Sequence, residues 1–482
     1  MRRPWKPSYA VIALFWIAGI LIAGCAAGPD YAPPEPPPDP LQWRSPTDHG
    51  LAASTADIRE WWRFFDDAGL NALVDRGLSG NLDLAQARSR VREARATRGI
   101  ETAGRFPSLG AAGSAARVKE GEASSTELYA AEFDAAWEID LFGRASRRIE
   151  AAEADMGASI EAMRGVQVSL AAEIALNYVE VRALQNRIRV AEANVRTQQE
   201  TFEVVSDRYD LQLAGGLEVA QAESNLSDSR ARIPPLNAGL RRAMNRLAVL
   251  LGENPGTLND RLRPPGDVPA APPEIAIGIP ADLMRRRPDI RRAERELAAQ
   301  SARVGAATAE LYPRFTFNGT LQFAAADASN LFSAMSRLLS IGPAFQWNVF
   351  NAGSVRRNIE VRTERREQAL LNYEQTVLRA LEEVENAMTD YARELDRRAH
   401  LEKAAAAARN AAETAESLYK DGLRDYIYVL DAQRAQFTME DRLATSNADV
   451  AANLIRLYKA LGGGWDPARP NPATPPPTED DP

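Results

Sequence analysis

The chain repeats itself. At a shift of 206 residues, Asp83, Ala96, Gly99, Thr102 and Pro107 return as Asp289, Ala302, Gly305, Thr308 and Pro313. Further along the shift settles at 210, where Trp137, Tyr209, Leu213, Arg246 and Gly252 return as Trp347, Tyr419, Leu423, Arg456 and Gly462. Tryptophan and tyrosine are too scarce to recur in register by accident. The unit is far longer than a solenoid repeat, so the fold is built from two copies of one large assembly of secondary structure.

Each copy contains a helix too long for a globular core. In the first, Ile160, Met163, Gln167, Leu170, Ile174, Asn177, Val181, Leu184 and Ile188 are spaced alternately by three and four, the apolar seam of a left-handed supercoil. The second repeats it with Leu370, Tyr373, Val377, Ala380, Val384, Ala387 and Tyr391. No proline interrupts Arg144 to Gln212, which predicts a helix about 100 Å long at 1.5 Å per residue. Pro234-Pro235 should kink the helix that returns in the first copy; the second has no such pair. Helices alone would fit a dimerising coiled coil, but the strands argue against it.

From Tyr129 the odd positions are Tyr129, Ala131, Phe133, Ala135, Trp137, Ile139 and Leu141, and the even ones include Glu132, Asp134, Glu138 and Asp140. That period gives one apolar and one acidic face. In the second copy Phe315, Phe317, Gly319, Leu321 and Phe323 alternate with Arg314, Thr316, Asn318, Thr320 and Gln322, and Ile341, Phe345, Trp347 and Val349 alternate with Gln346 and Asn348. Strands are expected at about 106–118, 127–142, 312–325 and 340–350, the first of them weak and rich in small residues. Their length is that of transmembrane strands. Tyr129, Phe133, Trp137, Phe315, Phe317, Phe345 and Trp347 would then face lipid. Glu132, Asp134, Glu138, Asp140, Arg314 and Asn318 would face a wet, net acidic lumen.

Four strands cannot close a barrel, for which roughly eight are needed, and an open edge in hydrocarbon would leave backbone groups unsatisfied. The chain must oligomerise. Three copies would give twelve strands; the residues alone permit two or four copies as well.

The N-terminus reads as an export signal over residues 1–24, with Arg2, Arg3 and Lys6 ahead of an apolar stretch too short to span a membrane comfortably. Leu21-Ile22-Ala23-Gly24-Cys25 resembles a bacterial lipobox. Cys25, the single cysteine of the chain, would become a mature N-terminus carrying S-diacylglycerol and an N-acyl chain, with two or more chains making the attachment stable. Cleavage would deepen the net charge from −8 to −11, a balance that excludes a phosphate-tracking nucleic-acid binder. With two histidines and one cysteine, disulfide scaffolds and cysteine- or histidine-rich metal sites are excluded too. Residues 25–55 hold a proline-rich spacer, 56–270 and 271–465 the two repeats, and 466–482 a proline-rich acidic tail expected to be disordered.

The order of helix, hairpin, long helix and return helix, given twice after a lipobox, resembles the TolC-like outer-membrane efflux protein family, in its OprM/NodT-type lipoprotein branch. Trp61-Trp62-Arg63-Phe64 with Leu70 and Leu73 is similar to the family's entry segment, and Trp137 to Arg144 to its strand-to-helix junction. Arg286-Arg287-Pro288-Asp289-Ile290 with Ala293-Glu294, and Leu430-Asp431-Ala432-Gln433-Arg434, are similar to two further signatures. The resemblance implies a mainly α fold with a β-barrel contribution: a homotrimer whose strands share one outer-membrane barrel and whose helices form a periplasmic tunnel. In it the helix before each hairpin stacks on the helix after each tip, here roughly Asn81 to Arg105 with Leu217 to Leu251, and Ala281 to Leu311 with Tyr426 to Leu461.

It also implies a gate. Ile427, Asp431 and Arg434 lie at spacings of four and three on one helix face; matched to the family, they would form an apolar constriction, an acidic ring and its neutralising partner. Tyr419, Gly422 and Arg424 match tip positions of a latch and adaptor contact. Tyr428 stands where TolC carries a second acid, which favours an apolar-plus-aspartate gate over a double-aspartate one. Gln212 stands where the second tip has Gly422, so the two turns and their adaptor contacts are expected to differ. Partners implied are a periplasmic adaptor, an inner-membrane pump of the resistance-nodulation-division type, and outer-membrane lipid. No catalysis is expected: His49 and His400 lie in unpaired contexts and no serine sits in a G-x-S-x-G elbow. The run Arg285-Arg286-Arg287 reads as a solvated or salt-bridged helix start, and Glu382-Glu383 as solvated. The rival reading is a periplasmic adaptor or coiled-coil lipoprotein with no pore of its own.

Overall fold

A computed structural model describes residues 26–34, 43, 51–52, 57–119, 121–122, 124–272, 275–278 and 280–466. The signal segment, Cys25, most of the spacer and the tail after Asp466 lie outside them. In chain order the elements are β1 (Leu51–Ala52), a 3-10 turn Trp61–Phe65, α1 (Ala68–Gly80), α2 (Leu82–Ala103), β2 (Ser108–Val118), β3 (Thr126–Ile139), α3 (Arg144–Asp210), α4 (Gly216–Ala231), α5 (Ile233–Leu250) and α6 (Asn259–Leu262). The second half gives β4 (Ile275–Ala276), α7 (Pro280–Arg286), α8 (Pro288–Thr308), β5 (Arg314–Ala325), β6 (Arg337–Gln346), α9 (Ser354–Lys420) and α10 (Tyr426–Ala460). Short 3-10 segments follow α8 and join β5 to β6. Among the described residues no helix is long and apolar enough to cross a membrane.

The two sequence repeats are not two bodies. One compact unit gathers Arg90–Ile160 and Arg291–Gln375 with the described residues before Glu35, and the other takes the remainder. Each repeat contributes to both, because the hairpins pair with each other. In the first unit a single antiparallel sheet runs β2-β3-β5-β6. Its register places Phe133 opposite Leu321, Trp137 opposite Phe317, and Phe315 opposite both Ile139 and Phe345. Glu132 faces Gln322, Asp134 faces Thr320 and Glu138 faces Thr316. Between β3 and β5 the large apolar side chains therefore meet apolar partners and the two-residue period survives pairing. β2 and β6 are the open edges. Pro343, which has no N–H to donate, sits in an edge strand where its loss is tolerated.

β6 starts earlier and stops earlier than the alternation predicted, at Gln346 and not at 350. Just past its end the Trp347 indole Nε1 donates to Leu311 O at 3.1 Å. Its repeat mate Trp137, still inside β3, donates to Arg105 O at 2.8 Å. Each indole ties a strand end to a carbonyl just beyond the helix that precedes its hairpin.

The second unit is helical. Most of α3 and of α9, each 67 residues long, lies in it, and there the seam residues Leu170, Ile174, Val181 and Leu184 of one and Val377, Ala380 and Val384 of the other are buried. The expected kink is a full break: α4 ends at Ala231 and α5 begins at Ile233, with prolines in its first turn. α10, lacking the prolines, runs unbroken for 35 residues.

The stacking of return helix on short helix is secured by repeat-equivalent residues with different chemistry. Asn81 Nδ2 donates to Leu250 O at 2.9 Å while its Oδ1 accepts from Leu84 N at 2.8 Å, so one amide serves the last carbonyl of α5 and an orphan N–H of α2. At the other joint Arg287 Nη1 donates to Ala460 O at 2.8 Å. That guanidinium is buried and pairs with Asp289 and Glu383, both at 2.7 Å, so for Arg287 the salt-bridged alternative holds, with a carbonyl tie added, and Glu383 is one of its counter-ions. Gly252 and Gly462 close the two return helices in the left-handed region, at φ 76 and 76.

Candidate functional site

The residues singled out in the sequence fall in three places: the polar face of the sheet, the segment that follows Cys25, and the tips of the long hairpins.

On the sheet, Arg314 Nη2 lies 2.5 Å from Glu138 Oε2, and Arg144 Nη1 approaches Glu138 Oε1 at 3.8 Å. Thr320 Oγ1 donates to Asp134 Oδ1 at 2.7 Å. Asn318 sits on the same face, between Ala136 and Gly342. A cavity of about 280 Å³ opens beside this cluster, lined by Glu138, Asp140, Arg144, Glu310 and Arg314 among others. Asp140 is a correction. β3 stops at Ile139, and the Asp140 carboxylate accepts from Ala145 N at 3.0 Å and from Ser146 N and Oγ at 2.8 Å. It satisfies the orphan amides at the start of α3 and does not stand on the polar face. With Glu138 held between two arginines, the acidity expected of that face narrows to Glu132 and Asp134.

The residues after Cys25 dock into a cradle in the same unit. Ala27 N donates to Phe142 O at 3.0 Å. Gly28 takes φ 88, and a Cβ there would lie 2.5 Å from Gly305 Cα. Buried Arg147 holds Asp30 Oδ1 at 2.6 Å and Glu150 Oε2 at 2.8 Å, and Tyr31 donates to Glu294 at 3.2 Å. A Gly28→Val change meets both a left-handed backbone and a backbone neighbour that cannot move aside. The docked segment is expected to leave its cradle, and limited chymotrypsin digestion reads this as rapid cleavage after Tyr31 with the helical body intact. A cleavage rate equal to that of the unaltered protein would contradict the cradle.

At the tips, Val205, Ala222, Tyr419, Tyr426, Val429 and Leu430 form a buried apolar cluster. Tyr419, expected at a latch position, is buried. Its ring lies under the Arg208 guanidinium at 4.9 Å, and its hydroxyl donates to Glu218 Oε2 at 3.1 Å. Burial, with the Glu218 charge second, pushes that hydroxyl up to about 12. Tyr426 is likewise pushed up to about 12 by burial, and its hydroxyl has no hydrogen-bond partner among the described residues. Arg424 is not joined to Tyr419; it stacks on Tyr428 at 5.3 Å. Gly422 takes φ 73 and Gln212 takes φ 60. Leu423 N donates to Leu418 O at 2.8 Å, as Leu213 N does to Arg208 O at 2.7 Å. The two turns therefore share one backbone form, against expectation, with Gln212 accepting the left-handed strain that a glycine avoids.

Ile427, Asp431 and Arg434 are all exposed on α10. Asp431 has no ion-pair or hydrogen-bond partner among the described residues, and Arg434 Nε donates instead to Asn225 Oδ1 at 3.1 Å. The expected Asp431–Arg434 pairing is absent from the single chain. Glu218 and Arg208 were missed in the sequence because their partner Tyr419 lies about 200 residues away.

A family model described as outer membrane efflux protein matches the chain twice, over residues 73–253 and 279–463. Nodulation protein T of Rhizobium leguminosarum bv. viciae is 31% identical over 457 residues, covering 95% of this chain and 94% of the relative. Cation efflux system protein CusC of Escherichia coli (strain K12) is 30% identical over 454 residues, covering 92% and 97%. The solved outer-membrane channel OprN superposes with a TM-score of 0.85 at 37% identity, covering 92% of this chain and 100% of that one.

Proposed function

The chain belongs to the outer membrane efflux protein family and serves as an outer-membrane efflux channel; on that premise we propose that three copies share one barrel with a gate at the tips of the periplasmic tunnel. The observation that carries this reading is a four-stranded sheet with one apolar face, one polar face and two open edges. Edges of that kind are excluded from hydrocarbon unless another chain pairs with them. Leu371 and Leu378, seven residues apart on α9 and exposed in the single chain, supply an apolar stripe for a neighbouring helix.

In the trimer the face of Tyr129, Phe133, Trp137, Phe315, Phe317 and Phe345 meets lipid, and Glu132, Asp134, Glu138, Arg314 and Asn318 line the lumen. Cys25 carries the acyl chains, and the docked segment from Ala27 to Tyr31 supports an anchor held beside the strand-to-helix junction. At the tunnel end Ile427, Asp431 and Arg434 from three copies ring the aperture. The unpartnered Asp431 carboxylate supports this placement, since three such charges brought together repel and draw arginines or cations. Leu211, Leu213, Leu217 and Leu423, exposed at the tips, support docking to a periplasmic adaptor that connects the channel to an inner-membrane pump of the resistance-nodulation-division type. Native mass measurement of the membrane-extracted protein tests the assembly: a three-chain species is expected, and a folded, lipidated species of one, two or four chains would overturn it.

A further inference from the structure

Above the tip cluster, five side chains form one hydrogen-bonded chain through the interior of the second unit. Arg434 Nε donates to Asn225 Oδ1 at 3.1 Å, Asn225 Nδ2 to Gln198 Oε1 at 2.9 Å, Gln198 Nε2 to Gln433 Oε1 at 3.0 Å, and Gln433 Nε2 to Thr201 Oγ1 at 2.9 Å. Gln198 and Gln433 are 2% exposed, and Asn225 and Thr201 6%. The chain begins on Arg434 of α10, passes through Asn225 of α4 and Gln198 of α3, returns to α10 at the adjacent Gln433 and ends on Thr201 of α3.

Its direction is set at one end. A guanidinium can only donate, so Asn225 must turn its oxygen to Arg434 and its nitrogen to Gln198. The same requirement passes to Gln433 and ends on the Thr201 hydroxyl. Apolar layers such as the tip cluster tolerate small slides, because their attraction is not directional. A buried amide chain does not, because each broken link leaves a desolvated donor or acceptor. Gln433 and Arg434 follow one another on a helix, about 100° apart in direction, so turning α10 about its axis stretches one grip or the other.

We propose that Asn225, Gln198 and Gln433 are positioning residues of the gate: they fix the rotation of α10 and thereby keep Ile427, Asp431 and Arg434 turned toward the aperture. This rests on the gate reading above. The link between Arg434 and Asn225, whose arginine is exposed, is the one that yields first on opening. A neighbouring polar pair provides a control: Asn194 Nδ2 donates to Ser229 Oγ at 2.9 Å, joining α3 to α4 without touching α10.

Single-channel recordings of the lipidated full-length protein in planar bilayers separate the possibilities. Arg434→Ala and Asn225→Leu are each expected to raise open probability about ten-fold, equivalent to ~1.4 kcal/mol. In Asn225→Asp the new carboxylate still accepts from Arg434, and Gln198 and Gln433 can turn their amides over so that Gln198 Nε2 donates to it, Gln433 Nε2 to Gln198 Oε1 and the Thr201 hydroxyl to Gln433 Oε1; this variant is expected to stay at the closed level, and Asn194→Ala to match the unaltered protein. Should Asn225→Leu fail to assemble, Thr201→Val cuts the chain at its other end and is expected to open the channel as well. If Arg434→Ala opens the channel while Asn225→Leu or Thr201→Val, assembled, does not, the positioning role is overturned and the gate stands. Equal opening by Asn225→Leu and Asn225→Asp would reduce the effect to packing and overturn it too. If Arg434→Ala and Asp431→Ala both leave the recordings unchanged, the gate reading falls, and this inference with it.

Discussion

Trp61→Ala is expected to destabilise the second unit by about 3–5 kcal/mol, the range for removing a fully buried tryptophan. Trp61 is 0% exposed. Its ring stacks on Tyr458 at 5.4 Å and meets Trp62 and Phe65 edge-on at 5.8 and 6.2 Å. The chain after α10 is shaped around it: a Cβ on Gly463 would lie 2.9 Å from its ring. One side chain thus joins the start of the first repeat to the end of the second, and the surroundings, held by helices, cannot collapse into the vacated space. The apparent unfolding temperature in detergent, followed by circular dichroism, measures the loss. Trp61→Phe should recover most of it, and Phe64→Ala, at a 41% exposed ring, should cost little. A Trp61→Ala shift no larger than that of Phe64→Ala would show that the cluster is not a keystone.

Glu138→Gln is expected to turn the base of the barrel toward anions. The single Glu138 carboxylate faces both Arg144 and Arg314, so neutralising it raises the charge of these three groups from +1 to +2 per chain, and that of the cavity they line with Asp140 and Glu310 by the same one unit. A unit charge about 10 Å from a passing ion changes its energy by ~1–2 kcal/mol at an effective dielectric of about 20, before salt screening. The cation-to-anion permeability ratio should therefore fall roughly three- to ten-fold at low salt, read as a shift in reversal potential across a salt gradient. Asp140→Asn, a change at a helix cap, should not move it. An unchanged reversal potential in an intact Glu138→Gln oligomer would remove this cluster from the ion path.

What could be read in the sequence was what depends on period. Alternation from Tyr129 to Ile139 and from Arg314 to Phe323 fixed which residues share a face, since pairing in register keeps odd with odd. The duplication placed both long helices, and Pro234-Pro235 marked the break between α4 and α5. What could not be read depends on single contacts. Asp140 continues the alternation in sequence yet caps a helix, because a carboxylate one residue past a strand is drawn to unsatisfied amides. Gln212 carries no mark of the left-handed turn that Gly422 announces. Gln198, Asn225 and Gln433 look like solvated helix residues until three helices place them against one another. Tyr419 was marked by repetition, but its burial over Glu218 was not, since its mate Tyr209 is exposed.

The most direct test of the channel itself is planar-bilayer recording of the purified full-length protein beside Asp431→Ala. Discrete small steps from the unaltered protein, and markedly larger or longer openings once the unpartnered carboxylate is removed, are the expected result. A folded, membrane-inserted oligomer that passes no current in either form would contradict the account and favour an adaptor or scaffold without a pore.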